Sequence, residues 1–412
     1  MCLLVSWMCV MNGTPFPGLF WKTCRVRCDP RSDQQLPELH FRFRRIPQPM
    51  SQATNAINAK CVAGTGDAFN KTIAEGNAAR SGGRRSYGKD SGSETNFFRE
   101  AQFSADGTSI VTLNEDQCLR TFVIPPTVLD DAPQPHVLTA HSTYAAPTNV
   151  QSYALYPHFN LQNTATTLVL SATNDQPVVL ANALDYSIVH AKYSWVSTTT
   201  EAYIPANSLT FTADGSQFIA GGKDRLATFD CSRYGSGPVR EHRTSSARTQ
   251  RTTAYTNAGC RGIVSALSIN SDGLLAAGST MRQIAIYENE GSGECTTSFS
   301  LSDEKDAAKG TGVMHLKWSP CGTYLLAAER QSDGVHVYDM RNTMRRVACL
   351  TGRKATTTQR LGIDVVPTAD GYEMWAGGVD GFLRMWRNPG SLEGDQAPDM
   401  ELKLHDGMNS AA

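Results

Sequence analysis

In Gly312–Arg341, GVMHLKWSPCGTYLLAAERQSDGVHVYDMR, three short strands follow one another. His315, Lys317 and Ser319 alternate with Leu316 and Trp318, the period-2 signature of a half-buried strand. Cys321-Gly322 turns the chain, Tyr324–Ala328 runs back apolar, Ser332-Asp333-Gly334 turns it again, and Val335 and Val337 alternate up to Tyr338-Asp339. Tight turns between runs of this length predict an antiparallel arrangement.

The landmarks recur, as they must if this is a repeat. The turn dipeptide stands at Asp106-Gly107, Asp214-Gly215, Asp272-Gly273, Cys321-Gly322 and Asp370-Gly371, and a strand-ending aromatic follows 16, 15, 15, 17 and 16 residues later at Phe122, Phe229, Tyr287, Tyr338 and Trp386. The 108 residues between the first two turns hold one unit without the dipeptide, Tyr153–Asp185. The expected fold is therefore all-β, a WD40 β-propeller with six recognisable blades. Inner strands are expected near Phe98–Phe103, Ser152–Tyr156, Asn207–Phe211, Ile263–Leu267, Met314–Trp318 and Leu361–Val365. Outer strands are expected at Val137–Ala140, Ser187–Tyr193, Val239–Thr244, Cys295–Leu301, Val347–Leu350 and Met400–Leu404. Phe103, Phe211, Leu267 and Trp318 take equivalent apolar positions. After Leu404 only HDGMNSAA follows, so a seventh blade is expected to be truncated or irregular, about 30 residues short of the usual repeat.

Composition sets limits around this core. A net charge of −1 draws the whole molecule to neither nucleic acid nor membrane, so any such binding must come from local patches. Eleven cysteines without framework spacing fit a reducing compartment, and the close pair Cys24 and Cys28 lacks the second pair or histidines of a zinc site. Residues 1–92 show neither strand alternation nor a helical period, and Ala63–Ser93 is rich in Gly, Ser, Asn and Ala. They read as a disordered or irregular N-terminal arm, followed by a propeller over 93–408 and a tail over 409–412.

Asn96–Pro125, Asn207–Arg233, His315–Arg341 and Thr357–Gly371, with Tyr153 and Tyr156-Pro157 between them, resemble the telomerase Cajal body protein family in that order. The most specific pieces are Asn96-Phe97-Phe98-Arg99 ahead of the first unit and Thr358-Gln359-Arg360 ahead of the sixth, since a generic repeat demands neither. The resemblance implies binding of small structured RNAs: animal members recognise a short box in Cajal-body guide RNAs and telomerase RNA, and fungal relatives are linked to pre-mRNA splicing. It implies a nuclear place, Cajal body or nucleoplasm, with the cytoplasm also open, and small nuclear or guide RNA and RNP proteins as partners.

Catalytic motifs are not found: there is no phosphate loop, HExxH helix, G-x-S-x-G elbow or metal-spaced His/Cys cluster. The expectation is a non-enzyme with no cofactor, metal, membrane or small-molecule substrate. The repeated aspartates sit where tight turns want Asp and Gly. Two cation-rich stretches remain, Arg233–Arg261 and Met340–Ile363. Loop order divides them between two faces: Arg248, Arg251, Arg261, Arg353, Lys354 and Arg360 lie on connections from outer to inner strands and are the expected RNA-binding residues, whereas Arg341, Arg345 and Arg346 belong to the other face. The alternative is a WD40 protein-interaction scaffold without RNA contact, in which these cations are merely solvated.

Overall fold

The computed structural model describes residues 7–11, 25–26, 60–69, 96–130, 133–244, 259–301, 309–342, 345–391 and 393–404. The chain is all-β, and six sheets follow one another in chain order as WD40-type blades, antiparallel except where Gly394–Gln396 adds in parallel to Arg345–Leu350. Contacts group it into two compact units: one comprises residues 1–8, 61–206 and 234–237 and holds blades 1 and 2; the other comprises 9–60, 207–233 and 238–412 and holds blades 3 to 6.

Blade 5 shows why the sequence folds this way. Its strands are Val313–Trp318, Tyr324–Glu329, Val335–Asp339 and Arg345–Leu350, inner to outer. The second strand is buried along nearly its whole length, because each of its faces meets another blade. Leu325 and Ala327 point into a core shared with Ile284, Ile286 and Phe299 of blade 4. Leu326 and Ala328 point the other way, into a core with Ile363, Met374 and Trp386 of blade 6. Strand periodicity thus distributes one apolar run between two interfaces. Ile219, Leu226, Val264, Leu275 and Tyr287 do the same between blades 3 and 4, and in the other unit Val111, Leu119, Tyr153 and Val169 do so between blades 1 and 2.

The aspartates of the first two Asp-Gly turns hold their own turns, as their position suggests, and Asp106 Oδ2 also accepts from Leu161 N (2.7 Å) of blade 2. Asp214 accepts bonds from Thr212 Oγ1 (2.6 Å), Ser216 N (3.0 Å) and Ser216 Oγ (2.7 Å), which hold its carboxyl down at about 2. Gly215 follows at φ +71°, a conformation natural to glycine. Asp106 is bonded in the same way to Ser104 and Thr108.

Three expectations change. The outer strand of blade 1 is Ser142–Ala145, not Val137–Ala140; His136 and Val137 instead pair in parallel with Ala63 and Gly64. In blade 4 the position equivalent to Phe211 and Trp318 belongs to Ile269, which faces Leu275 as Phe211 faces Phe218, and not to Leu267. The remaining difference lies in the segment read as an irregular arm, where Lys60–Gly64 is a strand and Gly66–Phe69 a 3-10 turn. Ala63 is fully buried, and the Phe69 ring meets Phe98 edge-on at 5.1 Å with the Arg120 guanidinium 5.1 Å from its centroid. A strand this short has no alternation to read; its place comes from pairing with His136 and Val137 and from the apolar flank of blade 1.

Candidate nucleic-acid interface

Strand pairing settles which loops share an end of a blade. In blade 5 Val313 faces Glu329, and Val335 faces both Ala328 and Leu350, so the entering connection, the turn at 330–334 and the exit after Leu350 lie together. Trp318, Leu325, Tyr338 and Arg346 mark the opposite end.

At the first end a hydrogen-bonded belt runs through blades 3 to 6. Lys223 bridges to Ile263. Ile263 exchanges bonds with Thr280, donating to its Oγ1 (3.2 Å) and accepting from its N–H (2.9 Å). The Gly312 backbone packs so closely on Thr280 that a Cβ at 312 would lie 2.8 Å from its carbonyl oxygen. Arg330 donates to Gly312 O (2.8 Å), Gln331 to Thr357 O (3.1 Å), and Val379 to Lys354 O (2.9 Å). Turn residues Asp224, Arg282, Gln331 and Lys354 hold φ near +55 to +59° along this belt. Backbone pinned in this way presents side chains without a backbone ordering cost at the moment of binding.

The belt sorts charge by direction. Its described carboxylates turn inward. Asp224 Oδ1 accepts from Gly262 N (2.8 Å), and Asp333 Oδ1 from Ala355 N (2.5 Å) and Thr356 Oγ1 (2.9 Å). Asp380 is forked by Arg384 at 3.0 and 2.6 Å. Glu329, with no exposed surface, takes Arg282 Nε (2.6 Å) and Nη2 (3.0 Å) and lies 3.2 Å from His336 Nε2. Burial pushes the Glu329 carboxyl up, but His336 and Arg282 outweigh it and hold it below the usual carboxylate range. The cations turn outward: Lys223, Arg261, Arg330 and Lys354 are exposed and make no ion pair with a described carboxylate.

The residues expected from sequence divide accordingly. Arg261 and Lys354 stand on this surface, and Arg360 is half-buried near the inner strands. There it adds, after burial and together with Lys317 and Arg353, to the push that lowers the His315 imidazole to about 3. Arg248 and Arg251 lie outside the described residues. Arg353 is a correction: it is completely buried, donating through Nε to Gly377 O (3.3 Å) and through Nη2 to Gly362 O (3.1 Å) and Leu361 O, while its own carbonyl accepts from Arg384 Nη1 (3.1 Å). Burial lowers its guanidinium to about 10. It fastens the exit of blade 5 to blade 6 and offers nothing to a phosphate.

The opposite end of these blades differs in kind. Arg341 is paired with Asp339 (2.9 Å), Arg345 with Glu393 (3.2 Å) and Arg240 with Glu294, and Arg346 has partners of its own. Arg341, Arg345 and Arg240 are thus already met by carboxylates.

The two family motifs are built into the frame. Asn96 donates to Asp116 Oδ2 (2.9 Å) and accepts from its N–H (3.1 Å), and Asp116 in turn forks Arg120. Phe98 is core, Phe97 O accepts from Glu115 N (2.9 Å), and Arg99 pairs with Glu115 (3.6 Å) at the surface. Thr358 is exposed and Gln359 N donates to Thr357 Oγ1 (3.2 Å). Among the described residues no group of acidic, Cys and His side chains could hold a metal ion, and no helix is long and apolar enough to cross a membrane.

No family model matches the sequence. The chain is similar to the guanine nucleotide-binding protein negative regulator 1 of Schizosaccharomyces pombe, with 32% identity over 307 residues, 72% of either chain. It is also similar to telomerase Cajal body protein 1 of Bos taurus, 24% identical over 75% of this chain and 54% of that one, and of Homo sapiens, 24% over 72% and 50%. The chain thus spans about half the length of the mammalian proteins. The chain belongs to the WD40-repeat family that these relatives represent, the fission-yeast negative regulator together with telomerase Cajal body protein 1.

Proposed function

We propose that this protein is a non-enzymatic RNA-binding scaffold of a nuclear ribonucleoprotein, and that it holds a small nuclear or guide RNA through the cationic end of blades 3 to 6. The observation that carries the reading is the outward set Lys223, Arg261, Arg330 and Lys354, fixed at the backbone and free of described carboxylate partners. Arg360 follows Lys354 in the connection from blade 5 to blade 6, and Arg248 and Arg251 precede Arg261 in sequence and lie outside the described residues. Phosphate contacts from such a set supply affinity without base specificity. The Cajal-body name of the mammalian relatives supports both the RNP partner and the nuclear place.

The test is the salt dependence of binding to a single-stranded RNA. Each phosphate neutralised contributes about 0.7 to the slope of log affinity against log salt, so replacing all four cations by Ala should reduce it by roughly 3. Replacing Arg341 and Arg345 should leave it nearly unchanged, because their charge is already met by Asp339 and Glu393. Equal losses from both sets would defeat the face assignment, and no loss from either would defeat RNA binding by this end.

A second reading, a protein scaffold without RNA contact, is favoured by the name of the fission-yeast relative, a negative regulator of a guanine nucleotide-binding protein. Partner capture that survives ribonuclease, from protein that purifies free of nucleic acid, would select it.

A further inference from the structure

From the same end of blades 3 to 6 we infer that Met281 is a contact for an unpaired nucleobase, seated between the phosphate-binding cations Arg261 and Arg330; this rests on the RNA reading above and adds the part of the ligand that charge does not recognise. Met281 is 57% exposed. The other large exposed hydrophobic of this unit among the described residues is Val239, which precedes the outer strand of blade 3 at the opposite end. An apolar side chain left in water amid cations has no role in the core, and the surrounding structure holds it in place.

Met281 N donates to Ser279 Oγ (3.2 Å), Thr280 is bonded to Ile263 on one side and closely packed by Gly312 on the other, and Arg282 is anchored through its guanidinium to Glu329. Gly262 stands at φ +89°, and a Cβ there would come within 2.6 Å of Met281 Cγ. The thioether chain therefore lies over bare backbone, and that backbone continues directly into exposed Arg261, whose N–H is tied to Gln283 Oε1 (2.8 Å). On the other side the chain of contacts runs from Thr280 through Gly312 to exposed Arg330. Single-stranded RNA needs this combination, cations for successive phosphates and a polarisable apolar surface for a base between them. A methionine sulfur makes favourable contacts with aromatic rings and adapts to any of the four bases. Arg261 and Arg330, which make no ion pair with a described carboxylate, favour RNA over an apolar protein segment as the occupant.

The experiment uses the full chain with a fluorescent single-stranded RNA of about 20 nucleotides and mixed sequence, and the same backbone with abasic positions throughout. Met281→Ser should weaken binding of the base-bearing RNA by roughly three- to tenfold, leave the abasic RNA and the salt slope unchanged, and keep the melting temperature of the parent. Met281→Phe should restore the affinity. Unchanged affinity of Met281→Ser for the base-bearing RNA, or equal weakening toward both RNAs, overturns the base contact while leaving RNA binding in place. Loss of a captured protein with RNA affinity intact assigns the side chain to a protein and also overturns it. Failure of the parent chain to bind either RNA removes the RNA reading itself.

Discussion

Removing the Arg282 side chain should cost more stability than removing Arg282 and Glu329 together. The Glu329 carboxylate has no exposed surface and takes two hydrogen bonds from Arg282, at 2.6 and 3.0 Å, whereas Arg282 keeps 13% of its side chain in solvent. Arg282→Ala therefore strands a buried charge, for which the cost is about 3–5 kcal/mol; the remaining His336 neighbour at 3.2 Å argues for the lower end, about 3 kcal/mol. Arg282→Met with Glu329→Leu removes both charges and keeps most of the volume, and should fall within about 1 kcal/mol of the parent. Chemical denaturation of the two single variants, the double variant and the parent gives the coupling directly. The pH dependence follows from the depressed carboxyl: the pair's contribution is complete above the unfolded value near 4.3 and is lost as pH falls through the lower folded value, so the parent should lose stability relative to the double variant below about pH 4. Arg282→Ala costing under about 1 kcal/mol, or single effects that simply add, would refute the reasoning. Because Met281 and Arg330 flank this pair, Arg282→Ala should also weaken RNA binding, which the double variant, with its frame repacked, should partly recover.

Other expectations concern single positions. Arg353→Met should lower stability by about 2–4 kcal/mol, since it strands carbonyls that the guanidinium now satisfies, yet leave the salt slope of RNA binding unchanged. A lower slope would return Arg353 to the RNA surface. Asn96→Ala, which removes both bonds to Asp116, should cost about 1–3 kcal/mol in denaturation, and a neutral result would strip the motif of its framing role. Gly262→Ala should be destabilising by about 1 kcal/mol or more from its positive φ alone and should displace Met281, seen as weaker binding of base-bearing RNA but not of abasic RNA. Phe69→Ala should lower the melting temperature, and an unchanged value would show that residues 60–69 do not support blade 1.

How much of this was readable from sequence depends on how local the cause is. Asp106 and Asp214 were legible because a tight turn and its hydrogen bonds lie within a few residues. The blade count was legible because five of the six blades repeat the turn dipeptide and the spacing leaves room for the sixth. Arg353 was misread because its burial depends on Gly377 and Gly378, 24 and 25 residues away, and only close backbone approach at Gly378, where a Cβ would sit 2.3 Å from Arg353 O, closes the site over it. Lys223 and Arg330 were missed for the opposite reason. Each stands beside an acid in sequence, Asp224 and Glu329, so the pairs cancel on paper; folding turns the acid inward to Gly262 and Arg282 and leaves the cation outside. Met281 carried no signal at all, since one methionine in a turn is indistinguishable from core until its exposure is known.

The most direct measurement is ultraviolet crosslinking of the full chain to bound RNA, with the crosslinked peptides identified by mass spectrometry. Binding through the cationic end of blades 3 to 6 places the crosslinks in the peptides containing Arg261, Met281, Arg330 and Lys354. Crosslinks concentrated on the peptides containing Arg341 and Arg345, where the arginines are already paired with Asp339 and Glu393, would contradict it.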